Sequence, residues 1–189
     1  MTTSAVSRRT LVGGALAVGG VLAVGAGRGS AASPATDVRI LNAVLQLEEL
    51  EAAFYTAALD GGALRGELRE FAEVVVGHER EHVALLRKAL GAKAKPKPRM
   101  RFGAAVTNEK RFVNAAITLE DTVVGAYNGQ AANLTKPTLG AAAKIVSVEA
   151  RHAAWIRAIA GRPPAVDATD PIPTDQQVRA AIAKLGFIR

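Results

Sequence analysis

The stretch from Val74 to Gly91, VVVGHEREHVALLRKALG, carries metal-binding residue types at spacings that matter. Its centre, His78-Glu79-Arg80-Glu81-His82, fits a zinc-peptidase pattern in which two His at i and i+4 bind the ion and the Glu between them acts as base. The same five residues contain Glu79-x-x-His82, the spacing by which one helix offers a carboxylate and an imidazole to a di-metal centre in a helical bundle. An internal repeat separates the two chemistries. EREHVALLRKALG from Glu79 aligns with EARHAAWIRAIAG from Glu149, both with His at +3, Ala at +5, Arg at +8 and Gly at +12. The position equivalent to His78 is Val148, so the unit that recurs is Glu-x-x-His. With 11 Glu in 189 residues, a given His has Glu three before it by chance about 6% of the time, yet two of the three His do. A zinc peptidase also needs a third ligand and a substrate cleft, which a closed bundle does not readily provide.

A second pair of segments repeats in the same order. LEELEAAFY and LEDTVVGAY both read Leu-Glu with Tyr seven residues after the Glu: Glu48 with Tyr55, and Glu120 with Tyr127. At about 100° per residue, Glu48, Glu79, Glu120 and Glu149 each fall within the apolar stripe of a helix, so four helices aim one carboxylate each into one core. Four carboxylates in a low-dielectric interior repel strongly. Two divalent cations neutralise them, with His82 and His152 completing the donors. The competing arrangement is metal-free, with the polar groups paired among themselves or with Arg87 and Arg157, which sit about 80° from the Glu on their helices. Glu51, Glu81 and His78 lie one step round their helices and are expected to be solvated or to support the donors from behind.

The elements that position these groups are all helical. Pro and Gly clusters are confined to the first 35 residues, 91–107 and 161–174, and nothing alternates as strand. The first helix is expected from Thr36 or Asp37, as N-cap, to Leu59, and the second from about Ala63 to Leu90 with Gly91 as C-cap. The third is expected from near Thr107 to near Asn133, and the fourth from Pro137 to Gly161. A short fifth segment, Thr174 to Leu185, opens with a Thr-x-x-Gln capping box. Short connections make two antiparallel hairpins, and GAKAKPKPRMRFGAAV, Gly91 to Val106, is long enough to run the length of the bundle between them.

At 189 residues and 49% hydrophobic, the chain suits one domain with a continuous core. It has no cysteine, which removes disulfides, iron-sulfur clusters and thiolate zinc sites and leaves any metal to carboxylates and imidazoles. The formal charge of +7 includes Arg8, Arg9 and Arg28 in a segment expected to be removed. The remainder is too weak a signal for nucleic-acid binding.

The N-terminal segment has adjacent Arg8 and Arg9, an apolar run from Leu11 to about Gly25, and Ser30-Ala31-Ala32 as a small-residue cleavage site. It resembles a twin-arginine export signal over residues 1–32, leaving 33–189 as the mature domain with a bundle core at 37–161 and a C-terminal extension at 162–189. The competing reading is an uncleaved anchor, but the apolar run is Gly-rich and shorter than the roughly 20 residues a span needs. Export by this route carries folded, cofactor-loaded proteins to the periplasm, the cell wall or the medium, with no integral membrane domain after cleavage.

Together these motifs resemble the ferritin-like superfamily of di-iron and di-manganese carboxylate proteins, most closely the exported ferritin-like domain family that includes desiccation-related proteins. The resemblance covers about residues 37–161 and implies a four-helix bundle with a long crossover between the second and third helices. It makes Glu48 and Glu120 terminal ligands, Glu79 and Glu149 bridging carboxylates, and His82 and His152 the imidazole ligands of two Fe or two Mn ions. Tyr55 and Tyr127 fall where related proteins place tyrosines near the metals, as candidate catalytic groups or as buried structural tyrosines. Haem is not implied, since Met100 lies in the crossover and Met1 in the signal, and a rubrerythrin-type extra iron site would need Cys. The activity implied is reduction of dioxygen or peroxide, as ferroxidase, peroxidase or catalase, by a monomer or small homo-oligomer. A non-catalytic stress or envelope protein is the alternative, with Lys93, Lys95, Lys97, Arg99 and Arg101 as a cationic strip. A storage cage ranks lower, because a large shell is difficult to export folded.

Overall fold

Ser33 accepts a hydrogen bond from the Thr36 backbone N–H at 3.1 Å and so starts the first helix, with Pro34 in its first turn. In this computed structural model, which describes residues 32–188, the chain forms α1 (Pro34–Asp60), α2 (Gly66–Leu90), α3 (Glu109–Gln130), α4 (Lys136–Ile159) and α5 (Asp175–Leu185). The N-cap of α1 is therefore Ser33, ahead of the expected Thr36 or Asp37. Asn108 caps α3, its side chain accepting from the Arg111 N–H at 3.0 Å, and the expected end near Asn133 is a separate 3-10 turn, Ala131–Asn133. Thr174 and Gln177 form the anticipated capping box of α5. There is no strand among the described residues, only an isolated bridge between Met100 and Ile188. The twin-arginine segment lies outside the described residues. No described helix is long and apolar enough to cross a membrane.

The crossover runs from one end of the bundle to the other. At its start, Asn42 of α1 donates to the Lys93 carbonyl at 3.0 Å and accepts from the Lys95 N–H at 2.7 Å. At its far end, Glu109 of α3 accepts from the Arg65 N–H at 3.1 Å, beside the α1–α2 turn. This connection makes α3 antiparallel to α1, the ferritin-like arrangement. The base of the bundle is closed by Asp37, which accepts from the Thr135 N–H at 2.9 Å and from the hydroxyls of Thr135 and Thr138 at 2.5 and 2.6 Å. Burial would raise the Asp37 pKa, but these bonds outweigh it and hold the carboxyl below its ordinary value. Lys93, Lys95, Lys97, Arg99 and Arg101 are all exposed.

The core is aromatic at one end. Phe54 stacks on Phe112 at 5.2 Å, Tyr55 meets Phe71 edge-on at 5.7 Å, and Phe71 meets Trp155 at 5.2 Å. The C-terminal segment joins this cluster. Phe187 lies 5.8 Å from Phe54 and 5.2 Å from Phe102 of the crossover, and its carbonyl accepts from the Arg101 N–H at 2.8 Å. The segment before α5 crosses α3 at two glycines. A Cβ on Gly125 would stand 2.8 Å from Pro173 Cγ, and one on Gly129 would stand 2.5 Å from the Pro173 carbonyl oxygen. Only hydrogen at these positions admits the proline.

Candidate metal centre

Helical periodicity brings Glu48 from α1, Glu79 and His82 from α2, Glu120 from α3, and Glu149 and His152 from α4 to the middle of the bundle. All four carboxylates are fully buried, and His82 and His152 are only 6% and 3% exposed. The Nδ1 atoms of both imidazoles face the acids. His82 Nδ1 lies 2.7 Å from Glu149 Oε1, 3.2 Å from Glu48 Oε2 and 3.4 Å from Glu79 Oε2. His152 Nδ1 lies 3.1 Å from Glu79 Oε1 and 3.5 Å from oxygens of both Glu120 and Glu149. Glu79 and Glu149 thus each turn one oxygen to each imidazole. Glu48 stands with His82 alone, and Glu120 with His152 alone.

Proximity here is not the same as hydrogen bonding. Glu79 Oε1, Glu120 Oε2, both Glu149 oxygens and His152 Nδ1 are buried without an aligned hydrogen-bond partner, although other donor-type atoms stand within 4 Å. Buried polar atoms are ordinarily satisfied, so an orphaned set converging on one point is a departure that a shared cation explains. Two groupings, Glu48–Glu79–His82–Glu149 and Glu79–Glu120–His152, bring one donor atom per residue to within 4.8 Å of one another. Carboxylate oxygen and imidazole nitrogen suit iron and manganese. The residues present therefore fit metal ions.

The tyrosines cross between the halves. Tyr127 of α3 donates to Glu48 Oε1 at 2.7 Å, and Tyr55 of α1 donates to Glu120 Oε1. Burial and the adjacent carboxylates hold both phenols well above their ordinary pKa, as neutral donors. Each half's tyrosine secures the other half's outer carboxylate.

Without cations the cluster balances its charge with protons. Burial would lower the two imidazoles, but the carboxylates around them push each up to about 12. Burial acts oppositely on Glu79, where the His152 and His82 imidazoles beside it prevail and bring it to about 2. Burial, with the charge of Glu149 added, keeps Glu48 well above its ordinary value, and burial raises Glu120 to about 8. Cation binding must expel the protons on the imidazoles and these acids.

The arginines do not serve the metal-free arrangement anticipated for them. Arg87 pairs with Glu49, and Arg157 pairs with Asp121 at 2.6 Å. Both contacts lie one residue beyond the core Glu of the neighbouring helix, so they repeat as the motifs do and brace each hairpin from outside. None of the core carboxylates pairs with Arg or Lys among the described residues. The signal for these braces was present in the Arg at +8 of both copies and the acid following both Glu48 and Glu120.

His78 and Glu81 are exposed, as expected, but Glu51 is not: it is fully buried, and both of its oxygens lack a partner. Its spacing from Glu48 was the available signal, since three residues of helix turn it only about 60° from the core direction. His78 is not among the groups that converge with His82. Its Nδ1 lies 2.9 Å from His152 Nε2 and the rings stack at 5.2 Å. With the acids holding His152 protonated, both of its ring nitrogens carry protons and its Nε2 donates to His78. A surface cavity of about 370 Å³, lined by His78, Glu81, His82, Arg151, His152 and Trp155, reaches this side of the cluster.

No curated protein matches the chain. The Ferritin-like domain family matches residues 36–162, a span that contains both hairpins, the crossover and all six convergent groups, and the chain belongs to that family.

Proposed function

We propose that the chain is an exported di-metal carboxylate protein that holds two iron or two manganese ions and reacts with dioxygen, peroxide or Fe(II). The observation that carries this reading is the set of buried, orphaned donor atoms around two inward-facing Nδ1 atoms. Glu48 and His82 would hold one ion, Glu120 and His152 the other, and Glu79 and Glu149 would reach both. Bound iron or manganese supplies the one-electron steps that the side chains cannot.

The chain's own residues prepare the site. Tyr55 and Tyr127 fix the outer carboxylates in place and hold a phenolic proton at each end. Phe54, Phe71 and Phe112 exclude water from the side of Tyr55. The cavity beside His78 opens on the imidazole side of the cluster, where a small oxidant would approach. Export rests on Arg8, Arg9 and the apolar run that follows.

Elemental analysis of the purified protein after aerobic Fe(II) addition tests the site, with about two ions per chain expected and peroxide consumption following metal content. A chain that retains neither iron nor manganese would defeat the proposal. Cell fractionation of the Arg8→Lys, Arg9→Lys double variant tests export, with retention in the cytoplasm expected.

A further inference from the structure

The two halves of the cluster share every inward-facing acid, imidazole and phenol but one. The offset that carries Glu48 to Glu120 and Tyr55 to Tyr127 carries Glu51 to Val123. Val123 is an ordinary buried core residue, whereas Glu51 places a carboxylate at 0% exposure. Both Glu51 oxygens are buried with no hydrogen-bond partner. A carboxylate in that position is costly to retain, and the acids beside it make it more so. Glu51 is also directed: with Glu120 and Glu149 it brings a donor oxygen from each residue to within 4.8 Å of the others; neither imidazole belongs to that grouping, and of the two outer carboxylates it includes Glu120 and not Glu48.

We propose that Glu51 is a seventh metal-binding group of this chain, and that it serves the ion held by Glu120 and His152 and not the ion held by Glu48 and His82. This rests on the di-metal reading and adds an asymmetry that the repeat conceals. One position draws on Glu48, His82 and the two shared carboxylates; the other draws on Glu120, His152, the same two and Glu51. The five carboxylates exceed the four positive charges of two divalent ions, and the excess lies at the Glu120 position. The Glu120 position therefore fills first and binds more tightly.

The test is a titration of the metal-free chain with Mn(II), followed by the electron paramagnetic resonance of the free ion. Wild type is expected to take two ions in two resolved steps. Glu51→Gln keeps the shape of the side chain and removes the charge; it should still take two ions, with the tighter step weakened about tenfold to a hundredfold. The same substitution should have its effect in a His82→Ala background and none in a His152→Ala background. The metal-free Glu51→Gln chain should melt no lower than wild type, because an unpaired buried acid has gone. Two ions bound with unchanged steps in Glu51→Gln would overturn this inference while leaving the di-metal reading standing. An effect confined to the His152→Ala background would overturn the assignment to the Glu120 half. Failure of wild type to bind Mn(II) at all would overturn both.

Discussion

Glu79 sits between the two imidazoles, one oxygen 3.1 Å from His152 Nδ1 and the other 3.4 Å from His82 Nδ1, so Glu79→Gln tests the whole cluster with little change of shape. In the metal-free protein these neighbours lower the Glu79 pKa from 4.5 to about 2. At about 1.4 kcal/mol for each tenfold change, that preference is worth on the order of 3 kcal/mol at pH 7. A depressed pKa stabilises the fold above the unfolded value of 4.5, and the contribution is lost as pH falls through about 2. On the order of 1 kcal/mol should remain at pH 3. Urea denaturation of the stripped variant should therefore show a deficit of about 3 kcal/mol at pH 7, or about 6–12 °C in melting temperature for a domain of this size, and about half of that at pH 3. The metal readout is separate: Glu79→Gln should lose stoichiometric Mn(II) binding under conditions that saturate wild type. His78→Ala should keep both ions, with the one at His152 weakened about tenfold to a hundredfold by the loss of its hold on that imidazole. Metal retained in Glu79→Gln but lost in His78→Ala would refute the reasoning and restore the zinc-peptidase reading. A stability deficit equal at pH 7 and pH 3 would show that Glu79 matters by packing alone.

Three further perturbations probe what surrounds the cluster. Tyr127→Phe removes the 2.7 Å bond to Glu48 and should cost about 1.5–3 kcal/mol in chemical denaturation, with metal stoichiometry unchanged. Asp37→Asn should destabilise by about 1–3 kcal/mol at neutral pH; because the Asp37 pKa is lowered from 3.8, the deficit should be present above that pH and shrink below it. Gly129→Ala drives a methyl group into the Pro173 carbonyl, 2.5 Å away, and should cost about 1–3 kcal/mol, read as faster proteolysis between residues 161 and 174.

The Glu-x-x-His repeat was legible because three residues of helix keep a carboxylate and an imidazole on one stripe, and the second copy repeats that stripe. Glu49 was harder to read for the same reason. A stripe argument assumes that α1 keeps one face in water, whereas α1 is covered on several sides. Phe54, a few residues on, touches Phe102 of the crossover at 5.6 Å and Phe187 of the C-terminal segment at 5.8 Å. That cover comes from segments remote in sequence. Pro, Gly and Lys marked the crossover as a connection, but its route depended on Asn42, a single side chain with no periodic signal. Nor does anything local to Gly125 and Gly129 announce Pro173; they read as ordinary interruptions of a helix until the chain returns across them.

The crossed tyrosines make the cluster a property of two pieces rather than of either. The hairpin of α1 and α2 presents Glu48, Glu79 and His82, but the phenol that secures Glu48 belongs to the hairpin of α3 and α4, and the reverse holds for Glu120. The centre is in effect the interface of an intramolecular dimer, tethered by an exposed cationic strand of chain. Cutting that tether near Lys97 would leave every donor in place on two fragments, each holding half of a site. Metal would then serve as the reporter of their reassembly, much as it would report the pairing of two separate subunits.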